Sequence, residues 1–95
     1  MKEEQPQSPL DRINGLIEKT EDQEKKSLLR KLRKSFVETN LLSENKREGE
    51  KTYSGLREEL YDDDMNRRVD FGKEANETVD DLVNAIDKAL HPNEY

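Results

Sequence analysis

The sequence predicts an all-α fold, a small bundle of three to four amphipathic helices, with a disordered N-terminus and with dimerisation as one way to complete the core. Three observations carry this. Apolar residues recur at steps of three and four, the period of a helix face. Start and stop signals flank those stretches. Charged residues make up 42% of the 95-residue chain against 29% hydrophobic ones, so each apolar face is narrow and has to be buried against another helix.

Residues 1–7 are polar, contain a proline and show no periodicity, which predicts a disordered tail. A first helix is expected over about 9–19. Ser8 caps it, Pro9 sits at the first helical position where its missing N–H is harmless, and Asp11 lies in the positive first turn. Leu10, Ile13, Leu16 and Ile17 form its apolar face; Asn14-Gly15 weakens it and is a candidate turn. The second helix, about 21–41, opens on Thr20-Glu21-Asp22-Gln23, which has the form of a capping box. Leu28, Leu29, Leu32, Phe36 and Val37 line one face, and Leu41 extends it.

Residues 43–54 hold one aromatic residue and no aliphatic one, and read as a solvated linker or a frayed helix end followed by a loop. Ser54 then caps a third helix over about 55–65, carrying Leu56, Leu60, Tyr61 and Met65. From Asp62 to Gly72 that pattern breaks; Val69 and Phe71 alternate with charges, as in a short extended stretch. The last helix, about 73–90, bears Ala75, Val79, Leu82, Val83, Ile86, Ala89 and Leu90 on one face, and His91-Pro92 ends it. The expected organisation is one helical domain over 8–92 between tails at 1–7 and 93–95.

Composition narrows the function classes. Leu, Ile, Val and Phe number 20, near the level below which charged chains stay unfolded. Stability of about a few kcal/mol is expected, or help from a partner chain. With no cysteine, disulfides, thiolate zinc sites, iron–sulfur clusters and thiol catalysis are excluded. No apolar run approaches the roughly 20 residues that span a bilayer, and residues 1–9 lack the apolar centre of a secretory signal. A cytoplasmic protein without membrane partners is expected.

The net charge of −6 is uneven: residues 1–54 carry +1 and residues 55–95 carry −7. The second half repels nucleic acid, so any affinity for phosphate belongs to the first. There the candidates are Lys25, Lys26, Arg30, Lys31, Arg33 and Lys34, six cations flanking a leucine stripe. That pattern suits phosphate backbones, acidic membrane surfaces or an acidic protein groove, and equally a bundle helix with a solvated basic face or one that faces the chain's own acidic half. No aromatic is interleaved for base stacking.

The run from Asp62 to Glu74 has Asp62, Asp64, Asn66 and Asp70 at positions 1, 3, 5 and 9 of a calcium-loop spacing. Arg67 stands where that loop requires glycine and Lys73 where it requires a bidentate glutamate, so no metal site is assigned. Catalytic groupings are sparse. The lone histidine, His91, stands at a helix end before proline, and four scattered glycines make no phosphate loop. Neither enzymatic activity nor a cofactor is expected.

What remains is the acidic surface of the last two helices. The sequence predicts a small interaction protein that binds and regulates a partner with a basic surface, as inhibitor or adaptor, with negative charge on rigid helices able to imitate nucleic acid. Asp62, Asp63, Asp64, Asp80 and Asp81 are the candidate electrostatic contacts. The alternative is a nucleic-acid accessory protein using the basic helix. A homodimer through Leu28, Leu32, Phe36, Val79, Leu82 and Ile86 is compatible with both.

Overall fold

A computed structural model describes residues 8–92; the tails expected at 1–7 and 93–95 lie outside the described residues. Among the described residues four α-helices form: α1 (Pro9–Lys19), α2 (Gln23–Phe36), α3 (Lys46–Leu60) and α4 (Lys73–Leu90). Among the described residues there is no strand, only a single antiparallel bridge between Tyr61 and Arg67.

α1 and α4 occupy the expected ranges. Ser8 is extended and its hydroxyl accepts from the Asp11 N–H at 3.2 Å. Asn14-Gly15 is no turn but stays within the helix. Thr20 closes α1 instead of opening α2: its N–H and its hydroxyl donate to the Leu16 carbonyl at 2.9 and 2.6 Å. The cap of α2 is Asp22, whose carboxylate accepts from the N–H groups of Glu24 (2.9 Å) and Lys25 (3.1 Å). A charged acceptor facing two free amides at the positive helix end is the stronger cap.

The second half of the predicted second helix is not α-helical throughout. Val37–Leu41 widen into a π turn, followed by a 3₁₀ turn at Ser43–Asn45. The Thr39 hydroxyl bonds back to the Ser35 carbonyl at 2.8 Å inside that turn, a competition with the ladder that bends helices. The expected linker 43–54 is corrected outright, because α3 starts at Lys46 and ends at Leu60 rather than running over 55–65. Its buried face is Gly49, Tyr53, Leu56 and Leu60, at helical spacing. Ser54 is therefore mid-helix and caps nothing.

The helices run alternately up and down. α2 and α4 touch each other; α1 lies in the groove on one side of that pair and α3 on the other, with no contact between α1 and α3. Ile13, Ile17, Leu29, Leu32, Phe36, Leu56, Leu60, Val79, Leu82 and Ile86 fill the centre, with Tyr53 and Tyr61 at its edge. Leu32, Phe36, Val79, Leu82 and Ile86 are thus covered within one chain, and Leu28 is partly so. A second copy is not needed to bury them, and a dimer would have to use another surface. No described helix is long and apolar enough to cross a membrane.

Candidate functional site

The acidic end of the bundle is built by the connection from α3 to α4. Its first turn is held by Asp62, whose Oδ1 accepts from the N–H groups of Asn66 (2.8 Å) and Asp64 (2.9 Å). The backbone adds Met65 N–H to Asp62 O and Asp62 N–H to Asn66 O, both 2.9 Å. Met65 takes a left-handed conformation, φ 67°, to make this turn, and its side chain stays half exposed. A second turn is held by Asp70, which accepts from Gly72 N–H and the Asn76 amide, each at 2.9 Å. These donors lower the carboxyl pKa of both: Asn66 and Asp64 N–H groups for Asp62, Gly72 N–H and then Asn76 for Asp70.

The five acidic candidates are separated by the fold. Asp62 serves the turn, while Asp63 and Asp64 project at its exposed tip. Asp80 lies on the α3-facing side of α4 and accepts from three donors: Arg67 Nη2 (2.8 Å) and Nη1 (3.1 Å), and the Tyr61 hydroxyl (2.5 Å). Arg67 lowers the Asp80 pKa most, with the Tyr61 hydroxyl adding to it. Tyr61 is pushed up from the ordinary phenol value, first by burial and then by Asp80. Asp81 points to the opposite side of α4 and pairs with Arg12 at 3.0 Å. Asp62–Asp64 therefore form one surface, Asp80 supports it from beneath, and Asp81 belongs elsewhere.

Beside the tip an open cleft of about 560 Å³ runs between α3 and the end of α4. Glu50, Glu58, Asp62, Asp63 and Asp87 line it against Arg57 and His91. The Tyr53 hydroxyl donates to Asp87 at 2.7 Å, and Arg57 donates to the Met65 sulfur at 3.0 Å. The cleft is not legible in the sequence because one wall draws Glu50, Tyr53 and Ser54 from the segment that reads as a linker. Among the described residues, no three His, Asp or Glu side chains are grouped to hold a metal ion.

The six basic candidates are also divided. Lys31 faces α3 and pairs with Glu59 at 3.5 Å, and Lys25 lies toward Asp70. Lys26, Arg30, Arg33 and Lys34 share the other face at helical spacing, with Arg33 Nη1 donating to Asn14 Oδ1 at 2.8 Å. Leu41, expected to extend the apolar face of the second helix, is instead exposed at the end of the π turn, next to exposed Leu42.

The fold and these surfaces define a small all-helical protein with charged side chains displayed on separate faces of the bundle. Compared with known protein families, curated proteins and solved structures, the chain matches none.

Proposed function

We propose that this is a non-enzymatic interaction protein that binds and regulates a partner protein, docking the acidic end of the bundle onto a basic surface. The observation that carries the reading is the exposed tip Asp63-Asp64 beside a cleft in which carboxylates outnumber cations. Half-exposed Met65 adds an adaptable apolar contact at its rim. Asp80 and Asp81 are engaged within the chain, so the nucleic-acid-like surface narrows to the tip and cleft. Charges so placed steer encounter and set its salt dependence more than they set final affinity. Cytoplasmic residence fits the lack of cysteine.

Asp63→Asn with Asp64→Asn is the clean test, because neither carboxylate holds a hydrogen bond of the turn. With a partner recovered from nuclease-treated lysate, the double variant should associate about tenfold more slowly at low salt, with a flatter salt dependence. An unchanged association rate at low salt would remove this reading. A second reading, nucleic-acid binding, is favoured by the four cations Lys26, Arg30, Arg33 and Lys34 on one face. It requires retardation of duplex or single-stranded probes in a low-salt mobility shift, abolished by Lys26→Glu with Arg30→Glu.

A further inference from the structure

α1 is clamped on both sides. Arg33 of α2 donates to Asn14 at 2.8 Å, and Arg12 donates to Thr78 and Asp81 of α4, both at 3.0 Å. Its third side, away from the core, faces outward at Gly15, where an added Cβ would meet nothing within 4 Å. Nothing inside the chain calls for glycine there, although glycine is a poor residue for a helix interior. The open space there leaves room for a close approach by another backbone.

The flanks of that face carry opposite charges. Lys26 and Arg30 stand on the α2 side, Glu74 and Glu77 on the α4 side, and none of the four has an ion pair among the described residues. Both flanking helices run antiparallel to α1. With Asn14 opposite Arg33 and Arg12 opposite Asp81, antiparallel counting sets Arg30 level with Ile17 and Glu77 level with Leu16. By the same count Glu74 falls level with Lys19, and Lys26 two residue rises beyond that end of α1. The two charged edges therefore match in height to within about 3 Å.

We propose that this face seats a second copy of the chain, with a two-fold axis parallel to α1. Rotation about that axis keeps every residue at its height and exchanges left for right. It brings α1 onto α1 at Gly15 and sets Lys26 and Arg30 of each copy against Glu74 and Glu77 of the other. A two-fold axis across α1 would instead oppose cation to cation. The pairing is isologous, with two identical charge contacts, as a closed dimer requires.

Sedimentation equilibrium at low and high salt tests it, with circular dichroism confirming the helices in each variant. The wild-type chain should sediment as a dimer at low salt and shift toward monomer as salt screens the flanks. Lys26→Glu with Arg30→Glu, and separately Glu74→Lys with Glu77→Lys, should each weaken dimerisation about tenfold or more. Mixing the two variants should restore the dimer, because each reversed edge then meets its reversed complement. Gly15→Gln should keep the fold and lose the dimer. A low-salt monomer, a dimer indifferent to the reversals, or a mixture that stays monomeric would each overturn the proposal. So would a monomer that retards nucleic acid through Lys26 and Arg30, which would assign this edge to a different occupant.

Discussion

Gly49→Val should destabilise the domain by about 3 kcal/mol or more, read as a lowered midpoint in urea denaturation with little change in slope. A Cβ at position 49 would stand 2.6 Å from Thr39 Cγ2, 3.0 Å from Glu38 Cβ and 3.2 Å from the Thr39 backbone nitrogen. The first of these is a methyl on a buried, β-branched side chain whose hydroxyl is tied to the Ser35 carbonyl at 2.8 Å. The last is main chain, so the crossing has little room to yield. The same crossing carries a buried hydrogen bond from the Ser35 hydroxyl to the Gly49 carbonyl at 3.1 Å, and separating the helices would break it. Helix propensity works the other way, since valine is better than glycine by a few tenths of a kcal/mol up to about 0.5. Overpacking wins by a wide margin. For so lean a chain the loss approaches the total stability expected, about 5 kcal/mol. Thr39→Ser removes the nearest methyl and should return part of the loss in a Gly49→Ala background. Wild-type stability in Gly49→Val would show that α3 does not approach the π turn as closely as described.

That crossing also explains why α3 was the element least legible in the sequence. Helical periodicity is read from apolar side chains, and the first two turns of α3 offer none. Gly49 is buried because backbone lies against backbone there, which hydrophobicity does not register. Once Gly49 is counted as a buried position, Gly49, Tyr53, Leu56 and Leu60 form a regular stripe. α1 and α4 were legible because their signals are local: a serine cap with proline behind it, and an uninterrupted apolar face closed by proline. The charged candidates were legible as a population only. Arg67 reaches Asp80 across 13 positions and Arg12 reaches Asp81 across 69, distances at which composition says nothing of who pairs with whom. The split of the basic cluster follows helix geometry and was open to reading, since Lys26, Arg30, Arg33 and Lys34 fall at steps of three and four while Lys31 does not share their face.

Asp80→Ala should cost about 2 kcal/mol at neutral pH, and the size of the effect should depend on pH. The carboxylate is shared between Arg67 and Tyr61 and is 43% exposed on its side chain, so solvent screening keeps the ion pair itself to about 1 kcal/mol or less. The larger share comes from what is left behind. Tyr61 is buried to 9% exposure, and its hydroxyl would lose its acceptor in a place water reaches poorly. Arg67, 6.0 Å above the Tyr61 ring, would lose the carboxylate that positions it. Asp80→Asn keeps an acceptor for Tyr61 and should cost about half as much. The sign with pH follows from the lowered pKa of Asp80, caused first by Arg67 and then by Tyr61. Its contribution is complete above the ordinary carboxylate value of about 4 and is lost as pH falls through the depressed native value. The gap between wild type and Asp80→Ala should therefore narrow in acid by the share that depends on the charge. Tyr61 sets the opposite limb: its pKa is raised, by burial first and by Asp80 second, so its contribution holds below about pH 10 and is lost as pH rises further. Chemical denaturation of both chains from about pH 7 down to about pH 2 is the measurement. A gap that stays constant over that range would mean that the charge on Asp80 contributes nothing and that only its shape matters to the packing of Tyr61.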